Sequence, residues 1–283
     1  MLEMNGVDYA YPGGIPALSA VDMAIKPGEK VAIVGANGAG KTTLLSILNG
    51  TIRPDHGAVR LDGAAIRYDR AGLRGLRQAV GLVLQDPDDQ LFAASVFEDV
   101  SFGPVNLGLA QPEIRARVEA SLLAMGIGDL GDRPTHMLSF GQKKRVAIAG
   151  IIAMRPRYLL LDEPSAGLDP MGVSQLMASL QRISADGTAI VLATHDMYTA
   201  YAWADRILIF GDGRIACAGD PELVFSDRAL LARLQLEPPL IWEAARALRQ
   251  AGLVNGALKM PRDREGLLAE IKLAADMAAA LAG

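Results

Sequence analysis

Residues 35–42 read Gly-Ala-Asn-Gly-Ala-Gly-Lys-Thr, a match to G-x-x-x-x-G-K-[ST] set between an apolar run, EKVAIVG, and a helical one, TLLSILNG. Glycines let the main-chain N–H groups across Asn37, Gly38, Ala39 and Gly40 turn inward around phosphate oxygens, and the helix that follows offers its positive N-terminal end. Lys41 adds a point charge and Thr42 a hydroxyl for Mg²⁺, with Thr43 next to it on the first helical turn. A plain glycine-rich turn needs neither the Lys-Thr pair nor the strand and helix on either side. The segment reads as a nucleotide-phosphate loop.

A second chemical signal is the run YLLLDEP, in which an apolar strand delivers Asp162 and Glu163 to its carboxyl end. Acids carried there need a cation or a partner. Asp162 suits Mg²⁺, directly or through water, whereas Glu163 projects the other way and can polarise a water against a terminal phosphate. His195 closes another apolar strand, IVLATH, and so emerges on the same sheet edge, within reach of that phosphate.

Such groups need a scaffold that brings strand ends together. EKVAIVG at 29–35, QAVGLVLQ at 78–85, RYLLLDE at 157–163, TAIVLATH at 188–195 and RILIF at 206–210 read as buried strands, mostly too uniformly apolar for a sheet with one wet face. They predict an α/β fold around a parallel sheet. The opening third, with VDYAY, LSAVDMAI and GAVRLDGAAI, alternates more and carries DG and GG turn signals, so antiparallel strands are expected beside that core. Residues 87–156 lack a comparable strand and show helical spacing in EIRARVEASLLAMGI and GQKKRVAIAGIIAM, which predicts a helical insertion. After residue 220 the pattern is helical again, broken at Pro238 and Pro239. The expected organisation is therefore a nucleotide-binding domain over 1–220 and a helical accessory region over 221–283.

Composition narrows the partners. With 28 Lys and Arg against 32 Asp and Glu, the net charge of −4 gives no field that draws the chain to nucleic acid or anionic lipid. The single cysteine, Cys217, forms no internal disulfide, as suits a reducing compartment. The opening segment has no signal-peptide pattern and no run reaches the 18 or so apolar residues that span a bilayer, so work at a membrane would need another chain to carry it there. His56, His136 and His195 fall on different predicted elements without ligand spacing, and no transition-metal site is expected.

Further residues carry a resemblance. Leu138-Ser139-Phe140-Gly141-Gln142 resembles the signature sequence of ABC ATPases, and Ser165-Ala-Gly-Leu-Asp169 looks like their D-loop. With Gln85 as a Q-loop glutamine and His195 as the switch histidine, the similarity covers roughly residues 5–220. It implies a P-loop NTPase core of ABC type that binds ATP and Mg²⁺, with Glu163 as general base, Gln85 and Asp162 completing the metal and water shell, and His195 bracing the γ-phosphate. It also implies that Ser139, Gly141, Gln142 and Asp169 act on the ATP held by a second, head-to-tail ABC ATPase subunit. Tyr11, 24 residues before Gly35, stands at the family's adenine-stacking position, whereas Tyr9 is expected in the core. Phe140 replaces the family's commonest signature glycine, a change expected to alter packing more than chemistry.

Gln85-Asp-Pro-Asp-Asp-Gln-Leu-Phe92, SVFEDVSFGPVNLGL and LSFGQKKRVAIAG are more narrowly similar to the ATPases of energy-coupling-factor importers, closest to the cobalt and nickel branch. That resemblance implies a peripheral subunit at the cytoplasmic face of the membrane, working with an integral scaffold and substrate-binding membrane proteins. A homodimer would have two competent sites because every element is present in one chain, although the shared-module branch pairs two different ATPases. A vitamin importer is the alternative cargo class; a soluble ABC ATPase acting on nucleic acid or the ribosome is more remote, given the acidic balance and the absence of a long coiled-coil insertion. Asp86, Asp88 and Asp89 are expected to offer an anionic edge to the membrane scaffold, and Phe92, Phe97 and Phe102 are expected to be core residues.

Overall fold

Ten strands and eleven α-helices make up the computed structural model, which describes residues 1–254 and 259–282. In chain order the strands are β1 (Leu2–Tyr11), β2 (Ile15–Ile25), β3 (Lys30–Val34), β4 (His56–Leu61), β5 (Ala64–Ala65), β6 (Val80–Val83), β7 (Tyr158–Asp162), β8 (Ala189–Thr194), β9 (Arg206–Gly211) and β10 (Arg214–Gly219). The helices that matter below are α1 (Lys41–Leu48), α2 (Arg70–Ala79), α3 (Val96–Asn106), α4 (Gln111–Ala124), α5 (Phe140–Ile152), α6 (Pro170–Ala185), α7 (Met197–Trp203) and, at the C-terminal end, α8 (Pro221–Ser226), α9 (Arg228–Arg233), α10 (Leu240–Gln250) and α11 (Arg264–Ala282).

A six-stranded sheet in the order β10-β9-β3-β8-β7-β6 has five parallel strands and one antiparallel edge, while β2-β1-β4-β5 form an antiparallel sheet. Alternation along each central strand explains the continuous apolar runs. Ala32, Val34, Leu159 and Leu161 pack among the helices, whereas Val31, Ile33, Tyr158 and Leu160 face the antiparallel sheet and α1. Burial on both faces requires apolar residues at both parities, each fully buried Val, Ile or Leu contributing about 1.5–3 kcal/mol.

The insertion is helical as predicted: α3, α4 and α5 fill it, and its strongest start signals are two capping boxes, Ser95 with Glu98 and Ser139 with Gln142. One boundary moves. Gln78 and Ala79 belong to the end of α2, which the Asp69 side chain caps by accepting from Gly72 N–H, and the β6 strand is correspondingly shorter than the run QAVGLVLQ. The predicted boundary at 220 coincides with a helix start, where Asp220 caps α8 by accepting from Leu223 N–H at 3.0 Å. Among the described residues the C-terminal helices show no separate core cluster. Val224, Phe225, Ile241 and Trp242 join the cluster that covers the parallel sheet, and Phe225 meets Tyr201 edge-on at 5.5 Å. Of the predicted region 221–283, residues 255–258 and 283 lie outside the described residues.

Candidate active site

Strand order does what the sequence could only suggest. Because β3, β8, β7 and β6 lie side by side and parallel, the phosphate loop after Val34, His195 after Thr194, Asp162 with Glu163, and Gln85 shortly after Val83 all leave the same sheet edge. Segments up to 160 residues apart in the chain thus converge (35 to 195).

The loop itself is shaped for an anion. Gly40 holds φ +104, and a Cβ there would stand 2.6 Å from the carbonyl oxygen of Ala17, so only glycine fits both the dihedral and the space. α1 begins at Lys41 with no side-chain cap and no acid in its first turn, which leaves its leading N–H groups for a ligand. Lys41 is buried; its Nζ donates to the carbonyls of Gly35 (2.8 Å) and Ala36 (3.2 Å) and stands 3.5 Å from Glu163 Oε1. Asn37, Gly38 and Ala39 complete the turn in front of it.

Thr42 Oγ1 donates to Asp162 Oδ2 at 2.6 Å, while Asp162 Oδ1 is buried without a partner. Burial pushes the Asp162 carboxyl above its ordinary range; the Thr42 hydrogen bond opposes this, and the neighbouring Glu163 charge adds to it. An acid held this way is relieved by a cation, and a hydroxyl paired with one carboxylate is the protein's usual share of a Mg²⁺ site whose remaining positions go to phosphate and water. The residues fit the ion that the loop implies.

Glu163 is 5 % exposed. Its Oε2 accepts from Thr194 Oγ1 at 3.2 Å and meets His195 Nδ1 at 3.0 Å. The sequence placed His195 against a phosphate; in the structure its ring also contacts the acid, with the other side of the imidazole open, since the side chain is 59 % exposed. Thr194 went unnoticed in the sequence because a strand-end threonine is common. Gln85 is exposed and lines a cleft of about 490 Å³ together with Thr42, Asp89, Phe140 and Asp162.

Tyr11 ends β1 beside α1, its Oη 2.8 Å from Thr43 Oγ1, and the residue is 40 % exposed; Tyr9 is half-buried against it, edge-on at 5.2 Å. Ser139, Gly141, Gln142 and Asp169 open instead onto a separate cleft of about 640 Å³. There Gln142 N–H donates to Ser139 Oγ and Ser139 N–H to Gln142 Oε1, and Asp169 Oδ1 accepts from Gly172 N–H at 2.6 Å. Within one chain these four are not on the phosphate loop.

One expectation about the insertion changes. Phe97 packs against the core, but Phe92 and Phe102 are 64 % and 51 % exposed and stack edge-on at 4.7 Å. The capping box turns Val96, Val100 and Pro104 inward, which puts Phe102 on the outer face of α3. Of the three acids, Asp86 caps the turn that follows it by accepting from Asp88 N–H, Asp88 pairs with Lys143 Nζ at 2.6 Å, and Asp89 faces the cleft that holds Thr42. Beside them runs an apolar groove of about 720 Å³ with Leu73, Phe92, Phe102 and Met154 in its walls, Asp99 at its floor and Arg70, Arg74 and Arg77 on its rim.

The sequence profile of the ABC transporter family matches residues 18–166. The cobalt import ATP-binding protein CbiO of Rhodobacter capsulatus is 52 % identical over 271 residues, covering 96 % of this chain and 97 % of that protein. The energy-coupling factor transporter ATP-binding protein EcfA3 of Clostridium perfringens is 45 % identical over 251 residues, 88 % of each chain. Among solved structures, CbiO1 of Clostridium perfringens, described as part of the ABC transporter complex CbiONQ, superposes with a TM-score of 0.74 at 46 % identity, over 83 % of this chain and 94 % of that one.

Proposed function

The chain belongs to the ABC transporter family, whose members hydrolyse ATP, and from that premise we propose that it is the ATP-hydrolysing subunit of a membrane importer for cobalt or nickel ions. The observation that carries the cargo reading is the 52 % identity, over nearly the whole of both chains, to a cobalt import ATP-binding protein. The 45 % identity to an energy-coupling factor ATPase keeps a vitamin importer as the second reading. The test is reconstitution into vesicles with candidate integral membrane partners: ATP-dependent uptake of Co²⁺ or Ni²⁺ is expected. Vitamin uptake without metal uptake by the same vesicles would replace the first reading with the second.

In the working site Lys41 and the N–H groups of the loop hold the phosphates of ATP, Thr42 and Asp162 hold Mg²⁺ with Gln85 at its water shell, and Tyr11 stacks on the base. A Mg²⁺ ion held there would supply positive charge against the negative charge that develops on the phosphates. Glu163 takes a proton from the attacking water, its acid held by Thr194 and His195, and the exposed side of His195 braces the γ-phosphate. A dimer closes the site: the N-terminal end of α5, with Ser139 and Gly141, has no phosphate of its own chain to meet and caps the ATP of the facing subunit.

The integral partner holds the subunit at the cytoplasmic face of the membrane. Among the described residues no helix is long and apolar enough to cross it. Docking is assigned to the groove between α2, α3 and α5 more than to the acids beside it, because Asp86 and Asp88 are engaged within the chain while Phe92 and Phe102 offer exposed apolar area. A helix of the membrane partner with an apolar face suits such walls. Phe92→Asp together with Phe102→Asp is therefore expected to abolish co-purification with the integral partner and ATP-dependent uptake, while ATPase activity of the isolated subunit stays within about twofold, since each loses apolar contact area and gains a charge that must be desolvated. Triple Asn replacement of Asp86, Asp88 and Asp89 is expected to have the smaller effect on assembly, as exposed pairs contribute about 0–1 kcal/mol each.

A further inference from the structure

Lys144 is 1 % exposed, although it sits in the run Lys143-Lys144-Arg145 that would ordinarily form a solvated basic face. Among the described residues no carboxylate lies within 4.0 Å of its Nζ. The ammonium is spent on main chain: it donates to the carbonyl of Glu163 at 2.9 Å and to that of Ala166 at 3.2 Å. The ring of Phe140 lies near it, with its centroid 5.4 Å away on the preceding turn of the same helix. Burial lowers the lysine's pKa, and the charges of Glu163, Asp86 and Asp162 work against that.

The two carbonyls it holds belong to the turn that carries the acid. Glu163 adopts φ +43, in the left-handed region that a residue with a Cβ enters at a cost. Its N–H donates to the Ala193 carbonyl at 2.9 Å, and its own carbonyl closes a turn by accepting from Ala166 N–H at 3.1 Å. Thus β8 grips the residue from one side and Lys144 from the other, and the direction in which the Glu163 carboxylate leaves the strand depends on both. Gly167, directly after Ala166 and at φ +75, lies under Phe140: a Cβ there would stand 2.6 Å from Phe140 Cε1. α5 therefore touches the acid's backbone through Lys144 and the loop after it through Phe140, while its own first turn is the signature expected to meet the facing subunit.

We propose that Lys144 is a positioning residue for hydrolysis, a buried clamp that holds the main chain of Glu163 at the angle its carboxylate needs and carries movement of the signature helix directly to that acid. This rests on the ATPase reading given above. Closure of a dimer pushes on the first turn of α5, and through the clamp the same displacement reaches the turn Glu163–Ala166 without passing through solvent or a flexible loop.

The test is a set of Lys144 variants of the full chain, with steady-state hydrolysis, MgATP affinity and melting temperature measured on each preparation. Lys144→Met, similar in length but without a donor, is expected to lower kcat by about 10- to 100-fold with MgATP affinity within about threefold, as a small misplacement of a catalytic group does. Lys144→Gln, which keeps an N–H donor without the charge, is expected to recover most of that loss. Should Met not fold, Lys144→Ser serves, because a water can replace the ammonium at the two carbonyls while the acid's backbone loses its link to α5, and kcat is still expected to fall. In a Glu163→Gln background Lys144→Met is expected to add nothing further, a coupling that a general loss of stability would not produce. Unchanged kcat in a folded Met or Ser variant, equal losses of kcat and affinity, or full additivity with Glu163→Gln would each overturn the clamp. A wild-type chain without ATPase activity would instead overturn the ATPase reading, so the two failures are distinguishable.

Discussion

Glu163→Gln is expected to slow ATP hydrolysis by about 10²- to 10⁴-fold, the usual worth of a positioned general base, while MgATP still binds. The amide has nearly the shape of the acid and can keep the contacts to Thr194 and His195, but it cannot accept a proton from water. Affinity is expected to hold or rise, because the buried carboxylate stands 3.5 Å from Lys41, the group that must turn to phosphate, and removing its charge frees that ammonium. With the chemical step blocked, ATP-bound dimers are expected to accumulate, which light scattering behind a sizing column would detect. Turnover close to that of the unaltered protein would remove Glu163 from its role and leave the fold and the binding site untouched.

A bulky residue at Ser139 is expected to abolish hydrolysis with little loss of nucleotide affinity in the monomer. Ser139 caps α5 through the Gln142 N–H, so its replacement also costs about 1 kcal/mol of stability, and a melting curve is the necessary companion measurement. The decisive experiment is mixing. One subunit carrying Ser139→Tyr and one carrying Lys41→Ala are each inactive as homodimers, but in a head-to-tail pair both defects fall in one composite site and the other is whole. Activity is expected to reappear on mixing, up to about a quarter of the wild-type level for random pairing of equal amounts. No recovery, with heterodimers shown to form, would mean that each signature serves its own phosphate loop. That outcome would conflict with the separation seen here, where Ser139, Gly141 and Asp169 open onto one cleft and Thr42 and Asp162 onto another.

What could be read from the chain alone was whatever is encoded locally. The phosphate loop is a contiguous octet whose residue types are dictated by main-chain geometry, and Asp162, Glu163 and His195 announce themselves by ending apolar strands. Parallel strands buried on both faces write themselves as unbroken apolar runs, and capping boxes mark where α3 and α5 begin. Even Lys144 left a trace: Ala147, Ile148 and Ile151 lie three, four and seven residues on, which places the lysine on the helix face that carries them. A run of three basic residues obscured it, since such runs are ordinarily solvated.

The rest was decided in three dimensions, because contact between distant segments depends on strand order and helix rotation, and neither is written in any short window. Strand β8 lies between β3 and β7, although it follows both in the sequence; this brings His195 to Glu163 and Asp162 to Thr42. The rotation of α3 set by its cap and its apolar stripe turned Phe102 out to meet Phe92 at the groove, against the expectation that aromatic residues are buried. A phenylalanine or a lysine carries the same side chain in either place. Whether it is core, groove wall or buried clamp follows from which surface the rest of the chain has already covered.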